Sequence, residues 1–239
     1  MQNKPDPPSA AETWAEAFGL DVASSKTDPH DVNQQLTLLR HELDLLEEKM
    51  LASSFSESLF KPYIKRVRLT ITTNNISASW KTYRNNLSPE TILALRYCSE
   101  ILENEPTADF EELEKVLSDL EKFKESINSS SVNGVTYDFV ISQINIIEKA
   151  IKNYPIVGGA AIKKAFSDGF ADLNVRSEDL AKEEETEVTK GIGKLWNNLK
   201  TAGNEFVETD RIANAYIGII NKGHSLAENV IAYLPGTGS

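Results

Sequence analysis

Residues 61–96 hold the strongest candidate for a binding site, because they combine clustered cations with nearby aromatic side chains. This stretch, called here the basic island, carries seven basic residues and one acidic residue, a net charge of +6. Helical spacing places Lys61, Lys65 and Arg68 on one face, with Arg66 beside them. The aromatic and basic residues that alternate downstream are Trp80, Lys81, Tyr83 and Arg84. Cations interleaved with aromatic rings are typical of surfaces that bind an anionic partner.

An acidic protein, a nucleic acid backbone or phosphate head groups would each fit such an island. The whole chain has a net charge of −11, whereas nucleic-acid-binding proteins are usually basic. Nucleic acid binding is therefore disfavoured, and a protein partner is the leading functional hypothesis. Internal pairing with the acidic stretch that follows is a simpler alternative, and the charge balance favours it. Its candidate carboxylates are Glu111, Glu112, Glu114 and Asp119.

Residue types that catalyse reactions or bind metals are present, but their spacing matches no familiar site. The histidines His30, His41 and His224 are far apart and belong to no HxxxH or CxxC pattern. Cys98 falls in the apolar register of a predicted helix, which favours a packed core thiol over a nucleophile. The segment Gly191–Lys194 lacks the spacing of a phosphate-binding loop. We therefore predict no metal, no cofactor and no enzymatic activity.

The cysteine content and the length of the apolar runs predict the compartment. Cys98 is the only cysteine, so disulfides within the chain are excluded and a reducing cytoplasm is the simplest location. A transmembrane helix needs about 18 consecutive apolar residues, and no such window occurs. The first residues lack the apolar segment of a secretory signal. We expect a cytoplasmic protein.

The C-terminal third suggests a second function, that of a membrane-active helix. Residues 191–200 read GIGKLWNNLK. Over its first four or five residues this segment resembles the magainin-type antimicrobial peptides of frog skin. That resemblance implies an amphipathic helix lying on a lipid surface. Its candidate membrane contacts are Ile192, Leu195, Trp196 and Leu199. The acidic residues that follow, Glu205, Glu208 and Asp210, favour the alternative of a core helix in a bundle.

Helical periodicity predicts the elements that carry these sites. Between Asp31 and Leu51 the apolar residues step by four and three, which indicates a helix packed inside a globular bundle. These residues are Val32, Leu36, Leu39, Leu43, Leu46 and Met50. Ser88, Pro89 and Glu90 are typical of a helix start. Residues 67–73 are rich in β-branched side chains, so the local pattern fits either a helix or a strand. We predict a helix there, because no second strand lies nearby.

The segment from Tyr137 to Leu173 is predicted to be the centre of the fold. Its apolar residues recur every three or four positions up to Tyr154, and Pro155 is expected to end that helix. A second helix then begins close by, after Gly158 and Gly159. Small residues at this junction would allow helices to cross closely. We therefore predict a buried helical elbow.

These elements predict an all-α fold, a bundle of about seven to nine helices with antiparallel neighbours and no substantial sheet. We expect a flexible N-terminal arm with a short helix over residues 1–30. One helical half is predicted over 31–127 and ends in a loop at 128–134. A second half that contains the elbow spans 135–234, and 235–239 is predicted to be a disordered tail. The sequence leaves the oligomeric state open.

Overall fold

The computed structural model describes residues 8–20, 28–128, 134–180, 187–204, 207 and 210–220. Within these residues the chain forms ten α-helices and no β-strand, which confirms the predicted all-α fold. In chain order they are α1 (Ala10–Ala17), α2 (Pro29–Ala52), α3 (Lys61–Thr70), α4 (Lys81–Arg84), α5 (Pro89–Ile101), α6 (Phe110–Asn128), α7 (Val135–Val157), α8 (Gly159–Leu180), α9 (Glu187–Ala202) and α10 (Arg211–Ile220). A 3-10 turn (Glu57–Leu59) precedes α3.

The chain divides into two compact units, Met1–Asn104 and Glu105–Ser239. The first unit contains α1 to α5 and the second contains α6 to α10. The predicted boundary was the loop at 128–134, but α6 lies in the second unit because its apolar face packs against α7 and α9. Residues 129–133 of that loop lie outside the described residues. The same holds for 1–7 and 21–27 of the predicted arm, and for the predicted tail.

α2 supplies the central apolar stripe of the first unit. The helix begins where the side chain of Asp28 accepts a hydrogen bond from the His30 N–H at 2.8 Å. Its predicted core positions Val32, Leu36 and Met50 are fully buried, and Leu39 and Leu46 pack against the same cluster. The other buried members of the cluster are Ala15, Leu43, Phe60, Ile64, Val67, Ile71 and Cys98. The heptad-like spacing of α2 therefore serves a globular core.

α1 is the short helix predicted in the N-terminal arm, and it packs on the loop that follows α3. The first N–H groups of a helix lack internal partners. Here the Ala10 N–H donates to the carbonyl of Ala78, and the Ala11 N–H donates to the carbonyl of Ile76, both at 2.8 Å. The ring of Trp14 stacks on Phe18 at 5.4 Å between centroids. The loop thus supplies hydrogen-bond acceptors for the first N–H groups of α1.

The β-branched stretch 67–73 is helical only in its first part. α3 ends at Thr70, and the buried Ile71 is already outside the helix. Side chains branched at Cβ lose rotamer freedom in a helix, which weakens its continuation through Ile71, Thr72 and Thr73. A turn with Asn75 at a φ of 57° follows. The region 61–87 therefore contains two helices, α3 and α4, and the ten helices of the described residues exceed the predicted seven to nine by one.

α7 and α8 form the elbow predicted at the centre of the second unit. The expectation that Pro155 ends the first helix is wrong, because α7 runs through it to Val157. Proline this close to a helix end removes only one internal hydrogen bond. The chain reverses at Gly158, whose φ of 62° is readily adopted only by glycine, and its N–H donates to the Tyr154 carbonyl at 2.8 Å.

The tightest crossings in the second unit lie at other glycines than those predicted. A Cβ added at Gly169 of α8 would lie 2.8 Å from Cζ2 of Trp196 on α9. One added at Gly191 of α9 would lie closer still to the ring of Phe123 on α6. Both glycines let an aromatic side chain reach the backbone of a neighbouring helix. Sequence spacing marked the elbow but gave no sign of these contacts.

Candidate partner-binding site

α3 carries the predicted cations of the basic island around its solvent-facing side. Its buried positions are Ile64, Val67 and Thr70. This helical phase leaves Lys65 and Arg66 exposed and makes Lys61 and Arg68 half-buried. Lys61, Lys65 and Arg68 line one groove beside α2, whereas Arg66 lies farther round the helix. The packing of these three buried side chains therefore decides how the cations are presented.

Arg68 ties α3 to α2 through two carboxylates. Its Nη2 donates to Oδ1 of Asp44 at 2.5 Å and to Oε2 of Glu47 at 2.7 Å. These hydrogen bonds, with that to Glu47 the stronger influence, raise the pKa of Arg68 above its ordinary value. The Arg68 side chain is 27% exposed, so the pair is partly shielded from water. Arg68 is therefore a structural cation of the first unit as well as part of the candidate site.

The remaining groove cations are less constrained. Lys61 donates to Glu57 one helical turn earlier at 2.5 Å, and the two side chains are 43% and 60% exposed. Such a surface pair contributes little to stability. Within the described part of the chain, Lys65 makes no ion pair. Among the cations of the basic island that line the groove, Lys65 is therefore the one that the fold uses least.

An open groove of about 490 Å³ runs between α2 and α3. Its lining residues are Arg40, Glu47, Lys61, Lys65, Arg68, Leu69 and Thr72. Four cations and one carboxylate face this space, and that carboxylate already binds Arg68. Leu69 is 57% exposed, so a large apolar side chain lies beside the cations. The groove offers attraction for negative charge together with an apolar contact.

Arg66 lies outside this groove, on the side of α3 toward α5. Its guanidinium carbon is 5.4 Å from the centroid of the Tyr63 ring, within the range of a cation–π contact. The pKa of Glu90 at the start of α5 is lowered, mainly by a hydrogen bond from the Ser88 side chain and in smaller part by Arg66. Arg66 is nevertheless exposed, so it can also meet an anion from solvent.

The predicted aromatic residues of the basic island are used in packing. The rings of Trp80 and Trp14 make an edge contact with 5.6 Å between their centroids, which holds α1 against the start of α4. The Tyr83 hydroxyl donates to the carbonyl of Asn75 at 3.2 Å. Both side chains are half-buried, whereas Lys81 and Arg84 on the short α4 are exposed.

The internal pairing anticipated for the basic island occurs with other carboxylates than those predicted. Arg68 and Lys61 pair within the first unit, as described above. Two of the predicted acidic residues pair along α6 itself, since Glu112 lies 3.4 Å from Lys115 and Asp119 lies 3.6 Å from Lys122. Glu111 and Glu114 are exposed on that helix. Proximity in sequence therefore did not identify the pairs.

α9, the candidate membrane helix, directs its apolar face into the second unit. Ile192, Leu195, Trp196 and Leu199 are all buried in the core. The helix would have to leave that core before those side chains could meet lipid. None of the described helices is both long and apolar enough to cross a membrane. An amphipathic pattern is the same for core and membrane helices, so the sequence alone could not separate the two.

A buried polar network that the sequence analysis missed joins four helices of the second unit. Gln143 of α7 is fully buried, and its Oε1 accepts hydrogen bonds from the Trp196 indole at 3.0 Å and from the Tyr216 hydroxyl. Its Nε2 donates to Asp172 at 2.9 Å and to the Gly169 carbonyl at 3.4 Å. All the hydrogen-bonding capacity of the amide is therefore used. The only sequence signal was a glutamine in an apolar stripe.

The acidic members of this network are held in place rather than available for reaction. Asp172 also accepts a hydrogen bond from Nε of Arg176 at 2.9 Å, so both of its oxygens are engaged. Burial raises the pKa of Tyr216 well above its ordinary value, and the nearby charge of Asp172 adds to this. The phenol is therefore neutral and acts as a donor. The arrangement fits a structural role.

Cys98 occupies the core position predicted for it. Its side chain is buried, and burial raises the pKa of the thiol. A thiol must lose its proton to act as a nucleophile, so this environment opposes reactivity. Among the residues that the structure describes, no cluster of three or more His, Cys, Asp or Glu side chains could hold a metal ion.

Comparisons of the chain with protein-family models, with curated proteins and with solved structures found no match. The function of this chain must therefore be inferred from its own residues.

Proposed function

We propose that this chain is a non-enzymatic interaction protein of the cytoplasm that binds an acidic segment of a partner protein. The binding site in this proposal is the groove between α2 and α3 together with Arg66, which lies outside the groove on the same helix. The observation that carries it is the exposure of Lys65 and Arg66 on α3 beside the exposed Leu69. Surface cations next to a large apolar side chain suit a segment with both carboxylates and an apolar residue.

The cations of α3 differ in how much they contribute to the fold, and this difference supports the proposal. Arg68 holds α3 to α2, because its guanidinium is paired with both Asp44 and Glu47. Lys65 and Arg66 are exposed and take no comparable part in the fold. Side chains that stabilise their own unit little but concentrate positive charge are suited to steering and orienting a charged partner.

The cytoplasmic location in this proposal is based on the single cysteine of the chain. Cys98 is the only cysteine and is buried as a protonated thiol, which fits a protein that neither needs nor forms disulfides. The membrane hypothesis loses support because the apolar face of α9 is committed to a core. The hypothesis of nucleic acid binding is supported only by the basic island, and the overall charge of −11 opposes it.

The test is capture from the native cell with tagged full-length chain at moderate salt, with bound proteins identified and bound nucleic acid and lipid assayed in parallel. The matched variant is Lys65→Glu with Arg66→Glu, which leaves Arg68 and its partners intact. We expect a stoichiometric protein partner that the wild type captures and the folded variant does not. Equal capture by both, or capture of lipid or nucleic acid alone, would overturn the proposal.

A further inference from the structure

A second surface of the first unit lies on α5 and is apolar rather than basic. α5 turns Thr91, Ala94 and Cys98 into the core. Leu93, Tyr97 and Ile101 lie on another side of the helix and are 49%, 53% and 38% exposed. Their spacing of four residues aligns them as one stripe along the helix. This apolar stripe is defined here as Leu93, Tyr97 and Ile101.

Opposite charges accompany the apolar stripe along one flank. Arg96 and Glu100 are both exposed and stand four residues apart, on the same side of the line from Leu93 to Tyr97. When two helices pack antiparallel about a two-fold axis, the same flank of each helix meets itself. A flank that carries one cation and one carboxylate a turn apart is then complementary to its own copy.

We propose that the apolar stripe of α5 is covered by α5 of a second copy of this chain, antiparallel and centred on Tyr97. In that arrangement Leu93 packs against the partner's Ile101, and Tyr97 packs against the partner's Tyr97. Arg96 then lies within about two residues of the partner's Glu100 along the axis, a displacement of roughly 3 Å. The Leu93–Ile101 and Arg96–Glu100 pairs each form twice because the interface is symmetric, and the Tyr97 pair forms once, on the two-fold axis.

The size of the apolar stripe sets the strength of this dimer. The three side chains expose on the order of 300 Å² per copy, within the range of functional patches on monomers. A stable interface buries roughly 800 Å² per partner. The stripe and its charged flank supply less than that, so the dimer is weak and depends on concentration, with a dissociation constant in the micromolar range.

The first test is sedimentation velocity of the full chain over a concentration series that spans the micromolar range. The wild type shifts from monomer to dimer across the series. Tyr97→Glu places two carboxylates against each other at the two-fold axis and weakens dimerisation at least about tenfold. The control is Val175→Glu, since Val175 is 83% exposed and lies in the second unit. It leaves the dimer unchanged.

Two results of this test overturn the proposal. A wild type that stays monomeric throughout means that another molecule, or none, covers the stripe. A dimer that Tyr97→Glu leaves intact means that a different face associates. Circular dichroism of the exposed-site variant checks that the helices remain folded.

The second test examines the antiparallel orientation by exchanging charges. Arg96→Glu and Glu100→Arg each bring like charges together and weaken the dimer several-fold. The double variant restores opposite charges across the axis, so its dissociation constant returns to within about twofold of the wild type. A double variant at least as weak as the weaker single variant contradicts the pairing of Arg96 with the partner's Glu100.

Discussion

The two units of this chain place their polar and apolar groups in opposite ways. In the second unit the hydrogen bonds of greatest consequence are internal, where Gln143 collects donors and acceptors from three other helices. In the first unit the corresponding polar groups lie at the surface, with Arg68 bridging two helices and Lys65 and Arg66 facing solvent. The polar side chains of the second unit therefore stabilise its own core, whereas those of the first unit lie at its surface.

Apolar exposure follows the same division. Ten large apolar side chains are exposed among the described residues, and seven of them belong to the first unit. Those in the second unit are Phe110, Val175 and Ile212. Single exposed apolar residues are normal on a protein surface. Clusters of them that are bordered by polar or charged side chains indicate binding surfaces. This difference is the reason for placing the proposed binding site in the first unit.

The largest expected effect comes from breaking the network of the second unit. Gln143→Leu removes the acceptor of two buried donors and one donor to Asp172, and each orphaned group carries its own desolvation penalty. We expect a loss of about 3–5 kcal/mol in the stability of the second unit. Hydrogen exchange should rise across α7 to α10 and stay unchanged in α1 to α5.

The control for this change is Asn145→Leu, an equivalent substitution at an exposed position of the same helix. It should alter stability by less than about 0.5 kcal/mol. Exchange that rises equally in both units after Gln143→Leu would contradict the separation described here, because it would show that the first unit depends on the same network.

The close crossing at Gly169 gives the next largest effect. Gly169→Ala would place its Cβ 2.8 Å from the buried Trp196 ring, and overpacking of this kind costs about 1–3 kcal/mol. Gly218→Ala is the matched comparison, since no atom beyond its own stretch of helix lies within 4 Å of its added Cβ. A helical alanine there should stabilise the second unit by up to about 1 kcal/mol. Urea unfolding of both variants measures the contrast, and equal effects would refute the tight crossing.

Removing the cation that joins α2 to α3 tests the first unit. Arg68→Ala leaves Asp44 and Glu47 adjacent without their shared partner, and we expect a loss of about 1 kcal/mol because the site is partly exposed. Arg68→Lys keeps the charge without the planar fork and should recover only part of that stability. The difference between wild type and Arg68→Ala should shrink in 1 M salt. Insensitivity to salt would argue against an electrostatic origin.

The smallest effect concerns acid sensitivity of the second unit. Burial raises the pKa of Glu148, but Lys152 at 2.5 Å and Lys124 at 3.6 Å lower it by more, so the net shift is downward. A carboxylate of this kind stabilises the fold above its ordinary pKa of 4.5, and the contribution disappears as the pH falls through the folded-state value.

Glu148→Gln should therefore destabilise the second unit by a few tenths of a kcal/mol at pH 7 and by less at pH 3. Urea midpoints at the two pH values measure this difference. Glu112→Gln removes a more exposed pair on α6 and serves as the comparison. If the destabilisation by Glu148→Gln instead grows as the pH falls, the pKa of Glu148 is not lowered in the folded state.

The sequence was sufficient for the helices because their signals are local. The apolar steps of α2 and the Ser88 cap of α5 were read from neighbouring residues, and both helices are present. The network around Gln143 could not be anticipated, because its partners lie 26 to 73 residues away in the chain. Arg68 illustrates the same point for the site, since spacing identified the cation but not its carboxylates on α2.

The central claim is that exposed cations of α3 in the first unit bind an acidic protein segment. The most direct measurement is calorimetric titration of the captured partner with wild type, with Lys65→Glu/Arg66→Glu and with Lys163→Glu/Lys164→Glu. The last variant makes the same charge change on α8 of the second unit. The account predicts at least about tenfold weaker binding for the α3 variant alone, together with a reduced dependence on salt. Equal weakening by both variants, or by neither, would contradict it.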